Sequence, residues 1–215
     1  MVSEHEDISQ KKVRFDRMNK IFRCELISWK QTYQLSRRLA WMIRKAGFQP
    51  DVIVAIARGG YVPARILCDF MNVGNLISIR IKHYASVRKL QCSLCLPLCV
   101  DVKGLKVLLV DDVGDTGDTL ALALEHIKSF NPAQVITAIL HHKKLSKIEP
   151  DFYARKIVKW RWIIYPWAVI EDIAGMIRDM KNPPTSLEEA ARRLENENMI
   201  KVPKQVIEDV LALWR

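Results

Sequence analysis

The sequence predicts an α/β fold, with a central, mostly parallel sheet and helices on both faces. Two observations carry this. Residues 52–57 and 107–110 are continuously apolar, the pattern of strands buried on both sides. Each run leads through a short loop of glycine and charged residues into a helical pattern, so strands and helices alternate along the chain. A chain of 215 residues accommodates one such domain plus an accessory segment.

The elements follow in order. Residues 1–24 are charged and form an N-terminal extension. Ser28 is the N-cap expected for a helix over 29–45, with Leu35, Leu39, Met42 and Ile43 on one side. The strand over 52–57 runs into Arg58-Gly59-Gly60 and a helix over 62–71. A strand over 76–82 precedes a polar, basic loop over 84–91. Residues 94–100 read as another strand, in which Pro97 marks an edge position or a bulge. The strand over 106–110 meets an acidic pair, and the helix that follows runs to about residue 130, where Asn131-Pro132 breaks the chain. A strand spans 134–140. Residues 157–165 hold one or two more, with Trp160 and Trp162 on one face by period two.

After Pro166 the character changes. Asn182-Pro183-Pro184 is a linker, and Ser186-Leu187-Glu188-Glu189 is a capping box opening a helix to about residue 196. Pro203 starts a last helix whose Val206, Ile207, Val210, Leu211 and Trp214 face one way. These helices are expected as a C-terminal extension over 173–215, packed on a main domain over 25–172.

Apolar residues make up 49% of the chain and charged residues 27%, an ordinary globular balance. No apolar stretch is long enough for a transmembrane span, and the polar start lacks a signal-peptide core, so the cytoplasm is the expected location. The formal charge of +10 suits phosphorylated small molecules. Its cations are scattered, with local clusters at Arg37-Arg38, Lys143-Lys144 and Arg192-Arg193, so charge alone argues only weakly for nucleic acid. Cys24, Cys68, Cys92, Cys95 and Cys99 are an odd set without a secretion signal, which favours reduced thiols. The spacing Cys92-x-x-Cys95-x-x-x-Cys99 lacks the second half-site of a structural zinc centre; a local disulfide there stays open.

The chemistry concentrates in 107–120, Val-Leu-Leu-Val-Asp-Asp-Val-Gly-Asp-Thr-Gly-Asp-Thr-Leu. A buried strand ends in two carboxylates and turns into a helix through a small, hydroxyl-rich loop. Such a loop directs backbone N–H groups and threonine hydroxyls at one anion, beside the positive end of the helix. The carboxylates suit hydroxyl groups or a divalent cation. A phosphate loop beside acids for sugar hydroxyls describes a site for a phosphorylated ribose.

This stretch resembles the signature of type I phosphoribosyltransferases, which bind 5-phosphoribosyl-1-pyrophosphate (PRPP), and the resemblance spans residues 29–167. It implies the fold of that family, with a small hood over the purine. It also implies that Gly114, Asp115, Thr116, Gly117, Asp118 and Thr119 hold the 5-phosphate, with the Asp118 carboxylate turned outward. Asp111 and Asp112 would bind the ribose hydroxyls directly or through Mg2+, with Asp112 the metal ligand. Ala57-Arg58-Gly59-Gly60 is similar to the pyrophosphate loop, with Arg58 and Gly59 contacting the anion and a non-proline cis peptide expected at Arg58-Gly59. Arg88 and Lys89 fall where the family has a flexible catalytic loop.

Asp115 matches the acid that marks the 6-oxopurine branch, where it faces purine N7 as general acid/base. Residues 162–167 resemble the purine-covering segment, so Trp162 would stack on the base and Ile163 backbone groups would contact its edge. For Trp160 and Trp167, core packing is the preferred reading. Lys143 matches the lysine that donates to O6, with Lys144 its ambiguous neighbour. Family members have an acid directly after the Pro-Trp pair; here Ala168 stands there, with Glu171 and Asp172 further on. The implied activity joins guanine, hypoxanthine or xanthine to PRPP in purine salvage, in a homodimer. Two alternatives stay open: a transferase for adenine or a pyrimidine, and a regulatory protein that senses PRPP or nucleotides and binds nucleic acid.

Overall fold

The computed structural model describes residues 23–85 and 90–213. It divides the chain into two compact units, Lys30–Lys159 and a second built from the residues before and after it.

The larger unit is a six-stranded sheet in the order β4-β3-β2-β5-β6-β7. Its strands are β2 (Val52–Ala57), β3 (Leu76–Ala85), β4 (Leu90–Leu96), β5 (Lys106–Gly114), β6 (Gln134–Lys143) and β7 (Phe152–Ile157). All neighbours are parallel except β3 and β4. The apolar runs are central, as parallel strands covered on both sides must be. All six residues of β2 are buried, and Val107, Leu108, Leu109 and Val110 of β5 are fully buried. Helices α1 (Trp29–Lys45), α2 (Tyr61–Met71) and α3 (Asp118–Lys128) complete this unit. Leu120, Ala123 and Ile127 of α3 join Val52, Val54, Ile56, Val107 and Leu109 in one core. α2 lies on β2 and β5. The unit thus has the mostly parallel sheet with helices that the sequence predicts.

Several boundaries differ from expectation: β3 and β6 run on to Ala85 and Lys143, and β7 at Phe152–Ile157 lies almost wholly before the strands expected over 157–165. β5 continues past Val110 to Gly114, because Asp111, Val113 and Gly114 remain paired with β6. Residues 84, 85, 90 and 91, expected in a loop, lie in strands, since the antiparallel ladder of β3 and β4 reaches the Ala85–Leu90 pair. Alternating polar and apolar residues there are compatible with an edge hairpin. The strand expected over 94–100 is shifted toward the N-terminus, ending at Leu96 before Pro97, which has no N–H for the ladder. It is one of the two edge strands, with a register shift opposite Arg80 and Ile81.

The smaller unit holds a two-stranded parallel sheet of β1 (Cys24–Leu26) and β8 (Trp162–Ile164). Its helices are α4 (Val169–Asp179), α5 (Leu187–Asn198) and α6 (Lys204–Leu213). Ile164, Ile173, Ile177, Leu194, Ile207 and Val210 form its core. Ser186 caps α5 as its sequence predicts, accepting from the Glu189 N–H. Trp160 is not on a strand with Trp162: β8 begins at Trp162, and Trp160 is 41% exposed rather than packed in a core. Helix α4 is absent from the sequence expectation. No helix among the described residues is long and apolar enough to cross a membrane.

Candidate active site

Parallel sheets open their binding crevices at the carboxyl ends of the strands. Here the ends of β2, β5 and β6 carry Arg58-Gly59-Gly60, the acidic loop and Lys143. The cis peptide lies between Ala57 and Arg58, one bond earlier than the resemblance suggests. The chain already turns at the last residue of β2, and the Gly60 N–H returns to the Ile56 carbonyl at 2.8 Å. Gly59 lies so close to Asp112 that a Cβ there would fall on its carboxylate. Two motifs more than fifty residues apart in sequence are therefore in contact.

Asp111 accepts from the Asp112 N–H at 2.9 Å. Burial and the neighbouring Asp112 charge push the Asp111 carboxyl well above the usual carboxylate range. The loop after β5 then turns at Gly117, whose φ of 90° belongs to the left-handed region that glycine tolerates. A Cβ there would also stand 2.8 Å from Ser146 Oγ and 3.0 Å from Ile148 N. Gly117 precedes α3 without a side-chain cap, so the helix N-terminus faces the loop.

The Thr116 hydroxyl, expected to face phosphate, donates to Asp118 Oδ2 at 2.8 Å and accepts from the Asp118 N–H at 3.3 Å. The Asp118 carboxylate is thereby held by Thr116, and Lys147 Nζ stands 3.5 Å away. The Lys147 N–H also bonds the Thr116 carbonyl at 2.9 Å. The segment 146–148 thus supports the loop after β5, a role that the sequence does not reveal. Its only trace there is a third lysine, Lys147, a few residues beyond Lys143 and Lys144.

Lys143 Nζ donates to Asp115 Oδ2 at 2.8 Å. The Lys143 side chain is 4% exposed and that of Asp115 41%. Burial pulls the Lys143 ammonium down, and Asp115 opposes that shift. Lys144 is exposed. Arg58, Gly59, Asp111, Asp112, Asp115 and Lys143 thus share one end of one sheet, along with the loop over 114–119.

Trp162 and Ile163 belong to the smaller unit. Trp162 Nε1 donates to Asp172 Oδ1 at 3.0 Å, so the acid of α4 fixes the edge of the indole. Ile163 is buried and pairs with Glu25 across the β1–β8 ladder. Trp167 stacks on Tyr165 with ring centroids 4.6 Å apart. Arg88 and Lys89 lie outside the described residues. All five cysteines are free thiols, and the described residues contain no group of three or more side chains arranged to hold a metal.

The comparisons with known proteins agree with this geometry. Residues 25–172 match the sequence profile of the phosphoribosyl transferase domain. A xanthine-guanine phosphoribosyltransferase of Nitratidesulfovibrio vulgaris is 28% identical over 152 residues, covering 71% of this chain and 87% of that protein. One from Ruegeria sp. is 29% identical over 153 residues, covering 66% and 83%. The crystal structure of a purine phosphoribosyltransferase from Pyrococcus horikoshii superposes with a TM-score of 0.61 at 31% identity, covering 67% of this chain and 93% of that one. With a crowded glycine against the acids of β5 and an uncapped helix behind Asp-Thr-Gly-Asp-Thr, this chain belongs to the phosphoribosyltransferase family.

Proposed function

We propose that the chain transfers the 5-phosphoribosyl group of PRPP to a 6-oxopurine, releasing pyrophosphate and forming a nucleoside monophosphate. The observation that carries this is the Lys143–Asp115 pair beside the phosphate loop. Lysine has three donors and no acceptor, and an ionised aspartate only accepts. A 6-oxopurine entering between them offers O6 to Lys143 and an N7 proton to Asp115. Adenine would turn an amino group toward an ammonium, leaving donors facing donors. Similarity to xanthine-guanine enzymes supports the same base class.

The loop over 114–119 holds the 5-phosphate through backbone N–H groups, with the Thr119 hydroxyl as a further donor and that of Thr116 joining once it turns from Asp118. Asp111 and Asp112 hold the ribose hydroxyls, and Arg58 with the Gly59 backbone holds the pyrophosphate. The bond from C1 to pyrophosphate breaks ahead of attack by N9, and Asp115 takes the base proton. Positive charge on the ribose ring is favoured by the nearby carboxylates, and the negative charge on the departing pyrophosphate by Arg58.

The residues fit a magnesium ion bound together with PRPP. Mg2+ takes one or two carboxylates plus substrate phosphates, and Asp112, beside the pyrophosphate loop, is an oxygen donor of that kind. Bound there, it would neutralise pyrophosphate charge. The cytoplasmic setting and homodimer come with the resemblance. A test is incubation of purified protein with PRPP, Mg2+ and single bases. Guanine, hypoxanthine or xanthine is expected to be consumed; turnover of adenine or orotate alone would overturn the base assignment.

A further inference from the structure

We propose that the outward face of α1 is a docking surface for single-stranded nucleic acid. The helix has seventeen residues and not one acid among them. Its buried side is Thr32, Ser36, Leu39, Ala40 and Ile43. At 100° per residue, Lys30, Arg37, Arg38, Arg44 and Lys45 fall with Trp41 on the opposite side, within an arc of about 120°. All five cations are exposed, and none pairs with a carboxylate among the described residues. Trp41, at the middle of this row, is 63% exposed and lines a shallow groove with Arg37, Arg38 and Arg44.

The exposed indole sets a flat apolar face in the middle of five cations that no carboxylate among the described residues pairs. The occupant must supply negative charge and a flat apolar face. Unpaired bases stack on indole, while arginine binds phosphate and also stacks. The helix is about 25 Å long, enough to follow several nucleotides. A second copy docking by the same face would oppose five cations with five more. The chain's own residues 1–22 offer no net negative charge, with five Lys or Arg against four Asp or Glu. A membrane-surface helix needs a broad apolar face toward lipid, and the apolar side of α1 is spent on the core. In a duplex, bases are stacked on each other and closed to the indole.

The test uses the full chain and a fluorescein-labelled uridine 20-mer, read by anisotropy from 50 to 300 mM salt. The expected result is binding with a log–log salt slope of about −3, as four or five phosphate contacts on a single strand produce. Reversing Arg37→Glu with Arg38→Glu should weaken binding at least 30-fold and reduce the slope by about 1.4. Trp41→Ala should weaken it about 5- to 100-fold with the slope unchanged, and Trp41→Phe should restore most of the loss. Unchanged thermal unfolding establishes that the variants fold; if the charge reversal unfolds, Arg37→Gln with Arg38→Gln replaces it. No binding at 50 mM salt would overturn the proposal. So would binding indifferent to these substitutions, equal affinity for duplex, or binding to poly-glutamate or anionic vesicles in place of the oligonucleotide.

Discussion

Lys143 Nζ lies 2.8 Å from Asp115 Oδ2, tying the end of β6 to the loop that follows β5. The two ends of this bond differ: the lysine is almost fully buried, while the aspartate is partly exposed. Asp115 is the first counter-charge of the ammonium, and Asp112 also acts on it. A purine placed between them would exchange that bond for one at O6 and one at N7.

Asp115→Asn removes the base proton's acceptor and should lower kcat about 100- to 10,000-fold. It should also expose the desolvation of Lys143. Burial lowers the folded pKa of that ammonium, and Asp115 is the first influence opposing the shift. With the folded pKa below the unfolded value, the unfolded state binds more protons in between, so stability rises with pH through that window. The stability gap between Asp115→Asn and the parent should be largest near neutral pH and narrow on the alkaline side. Urea unfolding at several pH values between 7 and 10 measures it.

Asp111 has the opposite sign. Its folded pKa is raised by burial and by Asp112. The folded state then holds the proton more tightly, and its contribution is present below the unfolded pKa and lost as pH rises through the folded one. Asp111→Asn removes this penalty and should stabilise the protein, by an amount that grows as pH rises through the folded pKa. The same change should raise the KM for PRPP, because the ribose loses a carboxylate. Thermal unfolding and initial rates on one preparation test both halves.

Gly59→Ala places a methyl group on the Asp112 carboxylate. Either the pyrophosphate loop or the acid must move. A displacement of about 1 Å at a reacting centre costs on the order of 100-fold in rate, and overpacking costs about 1–3 kcal/mol in stability. Retention of full kcat/KM in this variant would show that the two motifs need not meet.

Lys147→Met should raise the KM for PRPP several-fold, leaving kcat and the KM for the base near their original values. The ammonium balances Asp118 within the phosphate loop, so the effect should vanish in an Asp118→Asn background. Stability should change by less than about 0.5 kcal/mol, because the Lys147 side chain is 77% exposed. A loss of kcat alone would contradict this role.

Much of this site is legible in the chain. Strand β2 and helix α1 follow from an uninterrupted apolar run and a 3.6-residue period, which act over a few neighbours. Other features are not local. The length of β5 depends on its pairing with β6 beyond the acids, and the hairpin of β3 and β4 on a ladder between strands. Helix α4 escapes the sequence reading because Pro166 and the aromatic run before it mask a short amphipathic period, although Ile173, Ala174, Met176 and Ile177 are buried.

By itself the sequence determined that a buried strand ends in two acids and a glycine- and threonine-bearing turn into a helix, since patterning, turn residues and caps operate along the chain. Only the tertiary structure decided that Gly59 presses on Asp112, that Lys143 spends its charge on Asp115, and that Ser146 and Lys147 brace the loop at Thr116 and Gly117. These contacts join residues about 28 to 53 positions apart. Their geometry is set by strand order and register, which no local propensity encodes.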